Sequence, residues 1–352
     1  MAVKQTSIPK PILKWVGGKT QIIDKLIVDF PIEINNYHEA FLGGGSVLFA
    51  LLSYVKRGII KIYGNIYAYD LNEPLIYIYK NIQTQHNELY DILSTIITDF
   101  NECGDGEINR APVNIEEAKI ARENFYYWIR SKYNKLSLAD KKTTLGSAMV
   151  IFLNKTCFRG LFRVGPNGFN VPYGNYSNPE IINKEHLDTI HNLIQGVIFE
   201  CCDFTTSLSL ANVERCDGSD GSDGSDGSDG SDRSDGSDRS DGSDRSDGSD
   251  RSDGSDRCDF LYIDPPYAPE TNTSFVRYTE KGFGIENHNV LFKLIHDLTE
   301  ANKKIMLSNA DVSLVRENFQ IEKYKMESII CKRSINSKNP DAKANEVIIR
   351  NY

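Results

Sequence analysis

The first part of the chain alternates between apolar runs and short polar turns. The segment YHEAFL at 37–42 is apolar and aromatic and ends at three consecutive glycines, which predicts a strand followed by a tight turn. The next segment, SVLFALLSYVKRG at 46–58, has apolar residues at helical spacing, and IYAYD at 66–70 predicts a second strand. Strand, glycine turn, helix and strand in this order predict a βαβ unit.

A helical region follows this unit. The helical pattern runs from Glu73 to about Leu153, and it predicts three helices, at 74–98, 115–133 and 139–153. The pattern then changes to NKTCFRGLFRVGPNGFNVPYGNYSN at 154–178, which is rich in Gly, Asn and aromatic residues. This composition predicts a long loop.

Strands and helices alternate again in the second half of the chain. The predicted elements are a helix near 185–195, a strand at 197–200, a strand at 259–263, a helix near 286–302, and strands at 304–309, 319–328 and 345–350. Alternation on both sides of a helical interruption predicts an α/β fold with one doubly wound sheet. We therefore predict a discontinuous domain of residues 1–72 and 184–352, with a helical domain at 73–183 inserted into it.

A Ser-Asp-Gly/Arg repeat at 217–257 interrupts the second half. It has no apolar face and favours turns, so it predicts a disordered, low-complexity insertion. The repeat holds 14 of the 49 acidic residues and 5 of the 40 basic ones, which leaves 35 of each in the rest of the chain. The net charge of −9 is thus confined to the repeat, and it is no evidence against a nucleic-acid partner.

The seven cysteines include no C-x-x-C pair, which favours free thiols in a reducing compartment over a disulfide framework or a zinc site. Cys216 and Cys258 bracket the repeat, and a disulfide between them is the alternative. The N-terminus lacks the apolar core of a signal peptide, and no run of about 18 apolar residues occurs. These features predict a cytoplasmic protein of a prokaryotic or virus-infected cell, without a membrane partner.

The glycine turn Gly43-Gly44-Gly45 is the first candidate binding feature. Glycines between a strand and a helix allow a ligand to approach the backbone closely, and the helix N-terminus favours anionic groups. Asp70 ends the next predicted strand, where a carboxylate is placed to accept hydrogen bonds from a ribose. The pair favours a nucleotide-like cofactor; a glycine-rich turn without a ligand is the alternative.

The N-terminal segment KWVGGKT at 14–20 resembles a phosphate-binding loop but does not satisfy its pattern. The Walker motif requires a glycine five residues before Gly18, and position 13 is Leu. An ATPase is therefore not expected. Lys14, Trp15 and Lys19 are instead candidates for closing a cofactor pocket by stacking and charge.

The tetrapeptide Asp264-Pro265-Pro266-Tyr267 follows the apolar strand FLYI. This position predicts that Asp264 lies at the carboxyl end of a central strand, where open α/β sheets bind ligands. An Asp carboxylate and a proline carbonyl form an acceptor pair suited to an exocyclic amine, and Tyr267 offers a flat face to a base. A rigid turn without a ligand is the alternative.

Together these segments resemble the DNA adenine methylases of the Dam type. The resemblance rests on KWVGGKTQ, EAFLGGGSVLFAL, DLN at 70–72, CDF at 202–204, IDPPY, SNAD at 308–311 and NEVIIRNY near the C-terminus. The segment LNKTCFRGLFRVGPNGFNVPYGNY resembles the recognition segment of that family almost residue for residue. The likeness covers the chain except for the repeat. The repeat is one departure from the family pattern, and Arg159, where relatives often carry Asn, is a second.

The resemblance implies a Rossmann-like methyltransferase sheet that binds S-adenosylmethionine, with residues 73–183 recognising DNA. It implies methyl transfer to N6 of a flipped adenine in double-stranded DNA, within GATC, by a monomer without a metal ion. Methylation of another base or of RNA, and a catalytically inactive DNA-binding homologue, are the alternatives; a repeat-driven interaction protein is a further one.

The resemblance also assigns residues to three roles. The catalytic residues are Asp264, Pro265, Pro266 and Tyr267. The cofactor-binding residues are Lys14, Trp15, Gly17, Gly18, Lys19, Phe41, Gly43, Gly44, Gly45, Asp70, Asn72, Asp203, Phe204 and Asp264, with Asp70 on the ribose and Asp203 on the adenine. The DNA-binding residues are Lys155, Arg159, Leu161, Arg163, Asn170 and Pro172. Among these, Arg163 is the candidate for guanine, because its fork matches O6 and N7.

Overall fold

The computed structural model describes residues 8–213, 257–269, 282–320, 322–332 and 343–352. The predicted repeat lies outside these residues except for Arg257, and the Cys216–Cys258 prediction also lies outside them because Cys216 is not described. The strands are β1 Glu33–Ile34, β2 Tyr37–Glu39, β3 Lys61–Ile62, β4 Ile66–Asp70, β5 Val164–Gly165, β6 Gly168–Phe169, β7 Val197–Cys201, β8 Phe260–Ile263, β9 Lys304–Ala310, β10 Lys325–Lys332 and β11 Lys343–Arg350.

Helices connect most of the strands. They are α1 Ile23–Ile27, α2 Ser46–Lys56, α3 Glu73–Asn101, α4 Ile115–Lys119, α5 Arg122–Lys135, α6 Thr144–Thr156, α7 Lys184–Leu193, α8 Phe204–Asn212, α9 Ile285–Glu300 and α10 Ser313–Asn318. Within the described part of the chain, no helix has both the length and the apolar character needed to cross a membrane.

The main sheet has the strand order β10-β11-β9-β8-β2-β4-β7. The pairs β9–β8, β8–β2, β2–β4 and β4–β7 are parallel, whereas β11 is antiparallel to both of its neighbours. The chain runs from β2 outward to β4 and β7 and then returns to β8 on the other side of β2. The boundary between β2 and β8 is therefore the switch point of the sheet, where folds of this class bind ligands. The predicted doubly wound α/β fold is confirmed.

The central strands are apolar on both faces because helices cover both sides of the sheet. Phe260 and Tyr262 of β8 join the core beneath α1 and α2, whereas Leu261 and Ile263 join a second core formed with α8 and α9. All four side chains are at most 1% exposed. This two-sided burial explains why the sequence of β8 shows a continuous apolar run rather than alternation.

The helices α3 to α6 lie between β4 and β7 in the chain. Asn72 begins α3 by accepting a hydrogen bond from the Leu75 amide, and the helix is kinked at Gln85, whose backbone is not helical. The neighbouring Gln83 side chain donates to the carbonyls of Ile194 and Val197. The buried residues of these helices continue into the core on one face of the sheet, so the apolar packing is continuous from the helices to the strands.

Most predicted elements are present with shifted ends, but the helix predicted at 115–133 is divided into α4 and α5, and the region before β10 also differs. The sequence predicts a strand at 319–328, but α10 ends at Asn318 and β10 begins at Lys325. Val315 and Phe319 are buried against the second core, which gives this stretch a helical turn before the strand. The helix α8 was also not predicted; Asp203 begins it by accepting a hydrogen bond from the Thr206 amide.

Candidate active site

The glycine turn lies directly after β2. Gly43 and Gly45 have φ of 51° and 73°, a region in which a side chain is strained, and Gly45 begins α2. The Trp15 side chain packs on the turn so closely that a Cβ atom at Gly43 or Gly44 would approach it to 3.0 Å. A cavity of about 270 Å³ lies beside the turn, with Trp15, Gly18 and Gly44 in its wall. The turn thus places side-chain-free backbone directly against an aromatic ring at the switch point.

Asp70, at the end of the adjacent strand β4, binds this turn. Its Oδ2 accepts a hydrogen bond of 2.9 Å from the Gly43 amide, and its Oδ1 accepts one of 2.8 Å from the Asn72 amide. Burial raises the pKa of the carboxyl, and the two backbone donors oppose that rise. Asp70 therefore holds the glycine turn and the start of α3 together, and the Asn72 side chain is the cap of α3.

Asp203 and Phe204 lie at the end of the next strand, β7. The Asp203 carboxylate accepts hydrogen bonds from the Thr205 hydroxyl at 2.6 Å and the Thr206 amide at 2.9 Å, and these donors lower its pKa. Phe204 stacks on Phe41 with ring centroids 5.9 Å apart, and Phe283 packs against both rings. The structure thus brings the predicted Phe41 and Phe204 together and adds Phe283, which the sequence did not indicate.

Asp264 ends β8, on the other side of the switch point. Its Oδ2 lies 2.7 Å from the Nζ of Lys19, a side chain that is 5% exposed. Its Oδ1 is buried and has no hydrogen-bond partner among the described residues. Burial raises the pKa of Asp264 to about 6, and the Lys19 ammonium limits the rise. One oxygen of this carboxylate is therefore paired with an ammonium, and no group of the described residues donates to the other.

Lys19 connects the N-terminal segment to this carboxylate. Its Nζ also donates to the Gly17 carbonyl at 2.9 Å and lies 4.8 Å from the centre of the Tyr267 ring. Its backbone amide donates to the Ser46 hydroxyl at the start of α2. Lys19 was predicted to close the cofactor pocket, and the structure places its charge on Asp264 and Tyr267.

Tyr267 is fixed by a residue of β11, which lies two strands away from β8 in the sheet. Its hydroxyl donates a 2.7 Å hydrogen bond to Glu346 of β11, and burial raises the pKa of the phenol. The next residue, Ala268, donates its amide to the side chain of Asn309 at 2.9 Å. These two contacts hold the turn formed by Pro265 and Pro266 from the side of β9 and β11.

Glu39, the last residue of β2, is a buried acid between the two halves of the site. It is 2% exposed, and its Oε2 accepts a 2.8 Å hydrogen bond from the Tyr37 hydroxyl. Burial raises its pKa to about 8, with further contributions from Asp264 and Asp70. At neutral pH this side chain is therefore protonated and adds no negative charge beside the two aspartates.

Lys14 lies with the loop that follows α6 rather than with the glycine turn. Its Nζ lies 4.0 Å from the centre of the Tyr176 ring and donates to the Lys155 carbonyl at 3.3 Å. The Lys155 side chain is half-buried, and burial lowers its pKa. The two lysines thus form a positive edge between the N-terminal segment and this loop.

The predicted DNA-contacting residues cluster around the hairpin of β5 and β6. Arg163 donates from Nε to the Asn170 side chain at 2.6 Å and from Nη2 to the Asn170 carbonyl at 3.2 Å. Arg159 is exposed with a left-handed backbone, φ 57°. Pro172 is exposed and Leu161 is half-buried. Arg163 and Asn170 were predicted separately, and the structure joins them into one unit.

Sequence reasoning missed the partners of the predicted residues. Glu346 lies within NEVIIRNY, which indicated the family but not a contact with Tyr267. The contact of Lys19 with Asp264 joins two residues that are far apart in the sequence, and no local pattern predicts it. Within the described residues, no group of three or more His, Cys, Asp or Glu side chains could hold a metal ion.

Comparison with known proteins gives a consistent similarity along the chain. The model of the D12 class N6 adenine-specific DNA methyltransferase family matches residues 15–216 and 249–335. The interval between the two matched segments falls within the Ser-Asp-Gly/Arg repeat.

Individual relatives are similar over almost their whole length. A type II methyltransferase of Methanocaldococcus jannaschii, M.MjaIII, is 31% identical over 97% of this chain and 99% of its own. The DNA adenine methylase of Haemophilus influenzae is 26% identical over 96% of this chain and 93% of its own. The DNA adenine methylase of Escherichia coli K12 is 24% identical over 97% of this chain and 95% of its own.

Proposed function

The chain belongs to the D12 class N6 adenine-specific DNA methyltransferase family, and from this membership we propose its substrate, cofactor and site. It transfers the methyl group of S-adenosylmethionine to N6 of an adenine that is flipped out of double-stranded DNA. The target sequence is GATC, and the protein acts as a monomer. Residues 73–183 recognise the DNA, and the sheet holds the cofactor.

The observation that carries this proposal is Oδ1 of Asp264, which is buried and has no hydrogen-bond partner among the described residues. A buried carboxylate oxygen without a hydrogen-bond donor is costly unless a ligand supplies one. It lies at the switch point, on the strand next to the one that carries the glycine turn. An exocyclic amine is a donor of the required kind, because it has two hydrogens to give.

The residues around the glycine turn fit S-adenosylmethionine. Gly43, Gly44 and Gly45 present backbone beside the Trp15 ring, and Asp70 and Asp203 lie at the ends of the two neighbouring strands. The trio of Phe41, Phe204 and Phe283 offers an aromatic wall for an adenine ring. When bound, the cofactor supplies an electrophilic methyl group.

The residues of the tetrapeptide then hold the target base. The Oδ1 of Asp264 and the carbonyl of Pro265 accept the two N6 hydrogens, which directs the lone pair of N6 toward the methyl donor. N6 gains positive charge as its bond to the methyl group forms and the bond from that methyl group to the sulfonium sulfur breaks; the adjacent carboxylate stabilises this charge until N6 releases one proton to solvent. Flipping the adenine costs a few kcal/mol, and stacking on the Tyr267 ring recovers roughly 1–3 kcal/mol.

The loop around Arg163 makes the sequence-specific contacts. Asn170 holds the Arg163 guanidinium through Nε and Nη2, which fixes the plane of the fork that can donate to O6 and N7 of guanine. Leu161 and Pro172 pack on base faces or a thymine methyl group. Lys155 and Arg159 contact phosphates, which position the DNA without reading its sequence.

Methyl transfer to two duplexes that differ only at a single GATC site tests the proposal. The wild type is expected to methylate N6 of adenine in the GATC duplex and to leave the altered duplex unmodified, while Arg163→Lys reduces this preference. Equal modification of both duplexes would refute the target sequence. Methylation of cytosine N4, or of RNA alone, would refute the substrate.

A further inference from the structure

The buried amide of Asn154 joins two segments that belong to different parts of the proposed site. Asn154 lies near the end of α6 and is 1% exposed. Its Oδ1 accepts a 2.8 Å hydrogen bond from the Lys14 amide, and its Nδ2 donates to the Lys14 carbonyl at 2.9 Å and the Gly160 carbonyl at 3.0 Å. One side chain thus satisfies the backbone of the N-terminal segment and of the loop after α6.

The N-terminal segment extends this connection to the glycine turn. Trp15 packs against Gly43 and Gly44 on one side and lies 5.9 Å from the Phe162 ring on the other. Gly160, with φ 63°, lies against Lys14 so closely that a Cβ atom there would approach the Lys14 side chain to 2.3 Å. Residues 14–15 are therefore packed between the glycine turn and the loop at 158–163.

We propose that Asn154 is a positioning residue that couples occupancy of the glycine turn to the conformation of the loop at 158–163. The inference rests on the proposed function, because it takes the turn as the cofactor site and the loop as a DNA contact. A ligand on the turn fixes Trp15, and Asn154 transmits this restraint from Lys14 to Gly160. DNA then binds a loop that is already ordered, so the two ligands bind cooperatively.

The chemistry of the amide explains why the restraint is transmitted. If the loop moved without the N-terminal segment, the buried Nδ2 would lose a partner that water cannot replace. The two segments therefore move together or not at all. A carboxylate at this position keeps the shape of the side chain but cannot donate to either carbonyl.

Asn124 provides a matched control in the same helical region. It is also fully buried, its Oδ1 accepts from the Asn109 amide at 2.8 Å, and its Nδ2 donates to the carbonyls of Glu107 and Glu117 at 3.0 and 3.3 Å. Asn124→Asp removes the same kinds of hydrogen bond as Asn154→Asp. It does not touch the N-terminal segment or the loop at 158–163.

The experiment measures the dissociation constant of a GATC duplex with and without saturating S-adenosylhomocysteine, which cannot donate a methyl group. The wild type and Asn124→Asp are expected to bind DNA at least about fivefold more tightly with this ligand, the lower end of typical coupling. Asn154→Asp is expected to show less than about a twofold change. Equal coupling in Asn154→Asp and the wild type would overturn the inference.

Hydrogen exchange of the wild type provides a second test that does not depend on the folding of any variant. S-adenosylhomocysteine is expected to slow exchange at 158–163 more than at 107–117. If the wild type binds this ligand and neither DNA affinity nor exchange at 158–163 changes, the coupling is refuted. Failure of the proposed function would give a different result from failure of the coupling. In that case the wild type itself would not bind S-adenosylhomocysteine or would not transfer a methyl group.

Discussion

The two oxygens of Asp264 lie in different surroundings, and this difference determines how the site responds to pH. Oδ2 is paired with Lys19, whereas Oδ1 has no partner among the described residues. Burial and the ammonium act on the pKa in opposite directions, and burial dominates. A carboxylate with a pKa of about 6 loses its acceptor character within the range in which enzymes are commonly assayed.

Replacing Lys19 by Met is expected to shift the acidic limb of the pH–rate profile of methyl transfer to higher pH. The ammonium lowers the pKa of Asp264, so its removal lets the pKa rise above about 6 and protonates the carboxylate earlier as the pH falls. Single-turnover rates from pH 5 to 9 measure the shift, with the exposed Lys25→Met as control. If the acidic limb of Lys19→Met lies at the same pH as that of the wild type, the ion pair of Lys19 and Asp264 does not control the pH–rate profile.

Glu39→Gln is expected to flatten the pH dependence of stability. The pKa of Glu39 is raised from 4.5 to about 8, so the folded protein holds a proton that the unfolded chain releases. Its stabilising contribution is complete below pH 4.5 and is lost as the pH rises through about 8. Urea unfolding at pH 6 and 9 should show a smaller loss for Glu39→Gln than for the wild type. Glu88→Gln, at an exposed position, is the control. If Glu39→Gln loses as much stability between pH 6 and 9 as the wild type, the raised pKa of Glu39 is contradicted.

At the scale of elements, the sequence predicts what depends on local pattern. The strands β4, β8 and β9 were predicted because two-sided burial leaves a continuous apolar run, and α2 because a glycine turn precedes a helical repeat. The boundary of α10 and β10 was not predicted, because Val315 and Phe319 are buried by tertiary packing. The contacts of Asp264 with Lys19 and of Tyr267 with Glu346 join elements distant in sequence, so only the fold reveals them.

The loop after α6 contains a residue whose backbone conformation is unfavourable for its side chain. Arg159 has φ 57°, a conformation that Asn tolerates better than Arg. Arg159→Asn is expected to raise the free energy of unfolding by about 1 kcal/mol and to reduce the salt slope of DNA binding by about one. Urea unfolding and a salt titration measure these effects. Arg159→Lys should keep the free energy of unfolding and the salt slope of the wild type. A lower free energy of unfolding in Arg159→Asn would contradict the account of strain.

At the scale of the whole molecule, the chain enters β8 at the end of the strand opposite the proposed site. The last residue of the repeat, Arg257, precedes the amino end of β8, and Asp264 follows its carboxyl end. The amino end is anchored independently of the repeat, because Asp259 accepts hydrogen bonds from Asn35 and Asn36 and pairs with Lys303. The strand that leads into the proposed catalytic tetrapeptide therefore has its own attachment to the fold.

Replacing residues 217–257 by a short Gly-Ser linker is expected to leave methyl transfer within about twofold of the wild type. The linker reduces the length of the loop by about three successive factors of two. This lowers the entropic free-energy cost of closing the loop by roughly 2 kcal/mol, which favours the folded state. Methyl transfer and urea unfolding of the two proteins measure the outcome. Loss of transfer in a folded deletion protein would show that the repeat takes part in function.

Mapping N6-methyladenine in DNA from cells that express the wild type or Asp264→Ala tests the central claim most directly. The wild type is expected to produce N6-methyladenine at GATC, and Asp264→Ala, at equal protein level and with retained DNA binding, is expected to produce none above the background of cells without the gene. Equal methylation by the two proteins would contradict the assignment of Asp264 as the catalytic acceptor.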